Sequence, residues 1–292
     1  MSRRRLRYWF EAQLARAAFA LFRGLGLDCA SALGGWIARS IGPRLPVSRA
    51  AEQRLRRAMP ELSAAAARPI IRAMWDNLGR VAAEYPFIGG FRLYDRISHV
   101  EVVGVEHLDQ LREDGIGGIF FSGHFGNWEI LSLAAGQRGL PLTLVYRAAN
   151  NPAVEQLIQE ARAPVPGRHV PKGNVAAREM MAALKRGEHL GILVDQKQND
   201  GIAVPFFGRP AMTAPALARL ALRYKCPVVP AKVERLGGAR FRLTVYPPLA
   251  LPDSGDQAAD VLALMTEVNR VLEGWIRERP DHWFWLHRRW PE

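Results

Sequence analysis

Residues 115–129 read GIGGIFFSGHFGNWE and combine three local signals in a short space. Ile119 to Phe121 form an apolar run after a cluster of glycines. A polar, glycine-rich break then separates them from helix-forming residues that resume at Trp128. This order predicts a buried strand, a tight turn and the start of a helix. Ligands bind at the carboxyl ends of strands in open α/β sheets, so His124, which lies in this turn, is well placed for chemistry.

His124 and Glu129 are the residues of this turn best suited to acid–base chemistry. Within one helix a five-residue offset would place them on different faces. With His124 in the turn and Glu129 in the first helical turn, the carboxylate can instead fold back onto the imidazole, leaving the other nitrogen to take a proton from a hydroxyl. Backbone N–H groups from Gly123 to Asn127 could stabilise an oxyanion, which makes Gly126 and Asn127 predicted substrate-binding residues. The alternative is a helix cap beside a structural histidine.

Two further predicted strands end in charged residues. The strand at 140–146 is followed by Arg147, and the strand at 189–194 is followed by Asp195. If their carboxyl ends share the edge that holds His124, three polar side chains face one cleft. Arg147 could bind a phosphate or orient an acyl carbonyl, and Asp195 could hold a donor group, pair with Arg147 or position an acceptor sugar. The alternatives are a surface salt bridge for Arg147 and a loop cap for Asp195.

The remaining pattern predicts an α/β fold with a mixed, mostly parallel central sheet flanked by helices. We expect further strands at 100–103, 227–233 and 241–246, and helices at 48–59, 62–83, 105–111, 152–162, 174–186, 213–224 and 257–277. The proline-bent segment at 204–210 is predicted to be a loop over the site. Its Phe206 and Phe207 either line the opening for an acyl chain or anchor the loop in the core. The aromatic and cationic residues at 283–290 suit either a membrane interface or a terminal segment docked on the sheet.

The charge of the chain points to anionic partners. The 292 residues carry a formal net charge of +12, with 49% hydrophobic and 23% charged residues, which is typical of a globular protein. Phospholipid, a phosphorylated glycolipid or an acidic carrier protein would each fit. Nucleic acid is not predicted, because the arginines are dispersed and no helix-turn-helix or zinc-ligand spacing is present in the sequence. Cys29 and Cys226 are too few for a disulfide framework, suit a reducing cytosol and lack the neighbours of a metal ligand, so neither a metal nor a cofactor is predicted.

Residues 1–27 are predicted to form an amphipathic helix. One face carries Leu6, Phe10, Leu14, Ala17, Leu21 and Leu25, and another carries Arg5, Arg16 and Arg23. Charged residues interrupt any run long enough to span a bilayer, so we expect the helix to lie on an anionic leaflet. A core-packing helix is the alternative, and a membrane-spanning helix is a weaker one. We therefore predict a membrane-associating segment at 1–45 and a catalytic domain at 46–292.

The chain resembles the acyltransferases that share a histidine and an acid with four residues between them, in particular the bacterial lipid A biosynthesis acyltransferases. Besides residues 123–129, the resemblance rests on four segments in the same order, which are Val145–Arg147 with Asn150–Pro152, Gly191–Gln196, Pro205–Gly208 and Trp285–Trp290. Together these segments cover about residues 115 to 290. The resemblance implies transfer of a fatty acyl chain from acyl carrier protein to a hydroxyl of a lipid A precursor at the cytoplasmic face of the inner membrane. It also implies that Arg162 is a functional arginine.

On this reading His124 is the general base, Glu129 its partner, and the acceptor hydroxyl attacks the thioester directly. Ser122 lies outside any Gly-x-Ser-x-Gly elbow, so no covalent enzyme intermediate is expected. Three alternatives stay open at this point. Water could replace the lipid in a thioesterase-like hydrolase, the protein could bind lipid or carrier without catalysis, or the acceptor could be a phosphatidylinositol mannoside or an ornithine lipid.

Overall fold

The predicted strand at 119–121 forms the middle of a sheet. The computed structural model describes residues 3–291. Residues 1, 2 and 292, which belong to the predicted segments 1–45 and 46–292, lie outside the described residues. The strands are β1 Val100–Val103, β2 Ile119–Ser122, β3 Leu142–Tyr146, β4 Gly167–Pro171, β5 His189–Leu193, β6 Ile202–Phe206, β7 Arg209–Thr213, β8 Val228–Gly237 and β9 Arg240–Val245.

Seven of these strands form one sheet in the order β1-β9-β8-β2-β5-β3-β4. Every neighbouring pair in it is parallel except β8 and β9. Helices connect and cover the strands. They are α1 Arg3–Leu25, α2 Leu27–Ile41, α3 Pro46–Ala58, α4 Ala64–Glu84, α5 Val105–Glu113, α6 Ile130–Gln137, α7 Pro152–Arg162, α8 Asn174–Lys185, α9 Ala216–Tyr224 and α10 Gln257–Glu278. The predicted α/β class with a mixed, mostly parallel sheet is confirmed.

The central strand β2 is apolar throughout because both of its faces are covered. Ile119 and Phe121 point into a core that includes α3, α4, α9 and α10. Phe120 points the other way, into a second core with α5 and α6. A strand buried on both faces loses the polar alternation of a half-exposed strand, which explains the unbroken run Ile-Phe-Phe.

Strand β4 and the β6–β7 hairpin differ from the sequence predictions. Strand β4 was not predicted, because Val170 is the only large apolar residue in Gly167–Pro171 and the strand pairs only with β3 at the edge of the sheet. The expected loop at 204–210 is part of an antiparallel hairpin, β6–β7. Its turn residues Phe207 and Gly208 both have positive φ, of 52° and 66°, as the turn of a tight hairpin requires. Prolines are tolerated here because a two-stranded hairpin has two free edges.

The N-terminal helix α1 turns its predicted apolar face outward. Leu6, Phe10, Leu14, Leu21 and Leu25 are 40–73% exposed, whereas Ala12 on another face is buried. Asn151 fixes α1 to the start of α7 by donating hydrogen bonds to the carbonyl of Tyr8 and the carboxylate of Glu11. No helix within residues 3–291 is both long and apolar enough to cross a bilayer. Membrane association through this face, and the division at residue 45, stay predictions.

Candidate active site

The turn after β2 is held by close backbone contacts, two of them with distant parts of the chain. Gly126 has a φ of +57°, and a Cβ at this position would lie 2.1 Å from the carbonyl oxygen of Val233, so only glycine fits. The N–H of Phe125 donates to the carbonyl of Gly123, and Phe125 also forms an isolated bridge with Trp283. Helix α6 begins only at Ile130, with Glu129 as its N-cap residue, two residues later than predicted. The strand, turn and helix order is confirmed.

Asp195, not Glu129, contacts the imidazole of His124. The Nδ1 atom of His124 lies 2.8 Å from Oδ1 of Asp195, and the backbone N–H of His124 donates to Oδ2 at 2.8 Å. Trp283 Nε1 donates to the same Oδ2 at 2.8 Å. The carboxylate is completely buried, while the His124 side chain keeps 15% of its surface exposed. One acid therefore holds both the ring and the backbone of the histidine.

The environment keeps Asp195 ionised. Burial by itself would raise the pKa of this carboxyl. The charge of His124, the hydrogen bonds that His124 donates to Asp195 and the nearby His287 outweigh burial and lower that pKa well below its usual range. An ionised carboxylate can only accept hydrogen bonds, so the proton of a neutral His124 must sit on Nδ1. The lone pair is then on Nε2, whose neighbour is the amide of the exposed Gln196, with 3.4 Å between the nitrogens. This nitrogen is oriented to act as a base.

Aromatic rings surround the imidazole of His124. Trp128 and His287 pack edge-to-face against it with ring centroids 4.9 and 4.7 Å away, and Phe284 lies at 6.4 Å. Burial lowers the pKa of His287 to about 4, so this ring is neutral at physiological pH. Its Nε2 is buried without a hydrogen-bond partner among the described residues. The imidazole of His124 therefore lies among three aromatic rings, with Asp195 on its Nδ1 side and Gln196 near its Nε2.

Within the described part of the chain, the side chains grouped closely enough to hold a metal ion are those of His124, Asp195 and His287, whose ligand atoms lie within 4.8 Å of one another. His124 and Asp195 are already joined by a direct hydrogen bond of 2.8 Å. An ion between these two atoms would have to break that bond. The geometry is that of a histidine and its orienting acid.

The predicted contact between Glu129 and His124 is wrong. Both oxygens of Glu129 are bonded to Arg162, with Nε to Oε2 at 3.0 Å and Nη2 to Oε1 at 2.5 Å, and Tyr85 donates its hydroxyl to Oε1. Burial opposes ionisation of Glu129, but Arg162 lowers the pKa of this carboxyl, and Glu129 in turn raises that of Arg162. The carboxylate at the α6 N-terminus is thus committed to a buried ion pair with the last residue of α7.

Two of the other predicted binding residues, Gly126 and Asn127, are hydrogen-bonded within the protein, whereas Arg147 is exposed. Asn127 is fully buried and donates to Glu84 at 2.9 Å, and the Gly126 N–H donates to the carbonyl of His282. The N–H groups of residues 124–126 all have protein acceptors, so they are not an open oxyanion hole. The Gly126 N–H and the side-chain amide of Asn127 are therefore bonded within the protein, and the substrate contacts of these two residues stay predictions. Arg147 is exposed just beyond β3, with no ion pair among residues 3–291, and is free to bind an anion.

Phe206 and Phe207 do not line an opening. Phe206 is completely buried, Phe207 nearly so, and their rings pack against the C-terminal tryptophans Trp283, Trp285 and Trp290. Neither ring lines the cleft of about 230 Å³ beside Arg235 or the cleft of about 380 Å³ beside Arg72. The prediction that they form an acyl-chain pocket is wrong, and the alternative of core anchors is confirmed. The C-terminal segment is docked on the protein, with Arg289 buried and bonded to Thr213 at 2.7 Å.

Sequence reasoning missed three neighbours of the His124–Asp195 pair. These are Gln196, Trp283 and His287. Gln196 follows Asp195 directly. Its position near His124 could therefore have been predicted from the end of β5. Trp283 and His287 lie about 160 residues from His124 in the chain. No local sequence pattern predicts that they contact it. The docking of the C-terminal segment decides their position.

The whole of residues 1–292 matches the model of the bacterial lipid A biosynthesis acyltransferase family. The chain belongs to this family. It is 23% identical over 190 residues to a lipid A biosynthesis acyltransferase of Haemophilus influenzae, a match that covers 64% of this chain and 57% of the relative. It is 29% identical over 197 residues to a lipid A biosynthesis lauroyltransferase of Escherichia coli, with 65% and 61% covered. The matched region thus spans about three fifths of the length of these two relatives.

A relative with a different acceptor in its name also matches. The chain is 25% identical over 229 residues to a phosphatidylinositol mannoside acyltransferase of Mycobacterium tuberculosis, with 76% of this chain and 70% of the relative covered. The resemblance inferred from residues 115 to 290 is confirmed by the family match.

Proposed function

We propose that this protein is an O-acyltransferase that moves a fatty acyl chain from a thioester on acyl carrier protein to a hydroxyl of a lipid A precursor. The observation that carries the proposal is the His124–Asp195 pair, 2.8 Å apart at the carboxyl ends of two adjacent strands in a chain of this family. The coupling of a partly exposed imidazole to a fully buried carboxylate supports a general base.

In the proposed reaction His124 acts through Nε2. This nitrogen takes the proton of the acceptor hydroxyl as its oxygen bonds to the thioester carbonyl carbon, which gives a tetrahedral oxyanion. The carbon–sulfur bond then breaks, and the imidazolium returns the proton to the departing thiolate. Asp195 stays ionised throughout and stabilises the imidazolium through Nδ1. General base catalysis of this kind contributes roughly two to four orders of magnitude in rate.

Ser122 supports direct attack by the acceptor. It is the last residue of β2, its side chain is buried, and its Oγ has no hydrogen-bond partner among the described residues. A serine nucleophile needs an adjacent base, which Ser122 lacks. The acceptor oxygen is therefore the attacking atom in this mechanism, and no acyl-enzyme forms.

Arg147 is the proposed contact for an anionic part of the substrates. Its guanidinium is exposed at the end of β3, which is separated from β2 by β5 alone. A phosphate on a glycolipid acceptor, or on the prosthetic group of the carrier, matches its planar array of donors. Arg162 is assigned a positioning role instead, because its Nε and Nη2 groups donate to Glu129 and Tyr85.

The exposed apolar face of α1 supports action at an anionic membrane surface, which we assign to the cytoplasmic face of the inner membrane. The mycobacterial relative favours a second acceptor class, a phosphatidylinositol mannoside or another membrane glycolipid. A thioester hydrolase would use the same base with water as the acceptor.

Two measurements test the proposal. Mass spectrometry of total lipids from cells with and without this protein should reveal one lipid species that gains a single acyl group. Purified protein supplied with acyl carrier protein thioester should release thiol quickly only when that lipid is present. Equal thiol release with and without the lipid would favour the hydrolase, and no acylated lipid under either condition would refute acyl transfer.

A further inference from the structure

The end of helix α2 and the turn into α3 expose large apolar side chains. Trp36 and Ile41 are each 56% exposed, and Ile37, Leu45 and Val47 are 38–40% exposed. Positions 36, 37, 40 and 41 fall on one side of the helix by their spacing. We call these five residues the α2 surface. Such a group of large apolar side chains in solvent marks a binding surface.

The opposite side of α2 is firmly packed, so the exposure does not come from a loosely held helix. Gly34 of α2 lies so close to Gly79 of α4 that a Cβ at Gly34 would be 2.4 Å from the Gly79 carbonyl oxygen. Buried Ser31 donates a hydrogen bond to the buried carboxylate of Glu84 at 2.7 Å. The helix therefore has one face fixed to α4 and one apolar face that meets solvent.

A cationic cleft of about 380 Å³ lies beside this surface. Arg39, Ser40, Pro43, Arg44 and Arg72 line it, and none of these five residues is acidic. Arg39 is held by Asp76 at 2.8 Å, and Asp76 is also shared with Arg80. The exposed Arg72 has no ion pair within the described residues. Positive charge is thus in excess, and we call these five residues the arginine cleft.

The turn that carries Pro43 and Arg44 is held by two hydrogen bonds. Trp75 Nε1 donates to Ser48 Oγ at 2.8 Å, and Ser48 donates to the carbonyl of Gly42 at 2.6 Å. A Cβ at Gly42 would lie 2.2 Å from the Trp75 ring, so the turn rests directly on that ring. The backbone that carries Arg44 is therefore fixed before an anion binds, which reduces the conformational entropy lost on binding.

We propose that the α2 surface and the arginine cleft together form a binding site for an anionic phospholipid of the bilayer. The phosphate occupies the cleft, and Trp36, Ile37 and Ile41 enter the boundary between headgroups and acyl chains. Residues 36–49 contain three arginines and no acidic residue, interleaved with tryptophan and branched apolar side chains. This mixture is typical of a bilayer interface, whereas a protein interface has an apolar centre with a polar rim. The site does not depend on the proposed acyl transfer.

The test measures vesicle binding by the full-length protein. The variant Arg44→Gln/Arg72→Gln is compared with Arg219→Gln/Arg240→Gln, which removes two positive charges from exposed arginines elsewhere. Both variants keep α1. In sedimentation with vesicles of phosphatidylcholine and phosphatidylglycerol, the cleft variant should bind roughly tenfold or more weakly than the wild type, and the control variant should bind within about twofold of it. Trp36→Ser/Ile41→Ser should weaken binding to the same vesicles.

Three outcomes would overturn the proposal. The first is equal vesicle binding by the cleft and control variants. The second is a thermal stabilisation by inorganic phosphate that the cleft variant loses while its vesicle binding is unchanged, which would assign the cleft to a free anion. The third is loss of binding to acyl carrier protein with vesicle binding intact, which would assign it to an acidic protein. Circular dichroism melting curves check that each variant is folded.

Discussion

His124 and Asp195 each lie two residues beyond a pair of matched strand positions. Ser122 of β2 is in register with Leu193 of β5, and the two strands run in parallel. The turn after one strand and the loop after the other therefore reach the same height above the sheet edge. This register brings two residues that are 71 positions apart in the chain to a hydrogen-bond distance of 2.8 Å.

Replacing Asp195 by Asn should lower kcat by roughly two to four orders of magnitude. The amide can no longer stabilise an imidazolium, and its NH₂ group can face Nδ1 and favour the wrong tautomer. Steady-state acyl transfer with acyl carrier protein thioester measures the effect, and Asp253→Asn, an exposed acid, is the control. A kcat within threefold of the wild type for Asp195→Asn would contradict the assigned role.

Glu129→Gln should lower the free energy of unfolding by about 3–5 kcal/mol, because it leaves the buried guanidinium of Arg162 without its counter-ion. The double variant Glu129→Gln/Arg162→Met should recover part of this loss. The exposed pair Arg168–Glu179 is the control, and Glu179→Gln should cost less than about 1 kcal/mol in urea unfolding. If Glu129→Gln instead keeps full stability and shifts the pH profile of kcat, Glu129 acts on the histidine after all.

Gly126→Ala should destabilise the protein more than Gly208→Ala does. Both glycines have positive φ, which costs an alanine about 1–2 kcal/mol. Only at Gly126 does the added Cβ meet the Val233 carbonyl, since nothing lies within 4 Å at Gly208. Urea unfolding of the two variants isolates the effect of the close approach. Equal destabilisation would show that the turn can move away from β8.

Stability should fall as the pH decreases from about 6.5 towards 4. Burial lowers the pKa values of His282 and His287 to about 4, whereas an unfolded histidine titrates near 6.5. Within this window the unfolded chain binds protons that the folded chain does not. Each histidine therefore contributes a loss of up to about 1.4 kcal/mol per pH unit.

Urea unfolding at a series of pH values measures this slope. His287→Phe and, separately, His282→Phe should each reduce this slope, to which the half-buried His169 and the buried His189, whose pKa values are also lowered, contribute as well. The slope can be compared even where a variant is less stable overall. An unchanged slope in both variants would show that these rings are protonated in the folded protein.

Arg147→Gln should raise the KM for a phosphorylated acceptor or the carrier by roughly one to two orders of magnitude and leave unfolding unchanged. The guanidinium is exposed and carries no ion pair within residues 3–291, so its loss removes a substrate contact and no structural one. Arg240→Gln, another exposed arginine, is the control. Equal KM values for the two variants would remove Arg147 from the site.

The local order of β2, turn and α6 followed from the sequence alone. An apolar run, a glycine-rich break and a helical segment specify a strand, a turn and a helix through short-range effects. The same is true of the apolar face of α1, whose spacing along the helix is a property of neighbouring residues. The α/β class and the position of His124 at the end of a strand could therefore be predicted from the sequence.

The partner of His124 was decided by tertiary structure. Glu129 is near in sequence, but as the N-cap of α6 its carboxylate is taken by Arg162 from α7. Asp195 becomes the partner because β5 is the parallel neighbour of β2, and strand order is a long-range property. The burial of Phe206 and Phe207 also depends on long-range packing. The tryptophans that cover these rings belong to the C-terminal segment, which docks on the protein. Spacing along a chain sets which elements form, whereas the order in which elements pack sets which side chains meet.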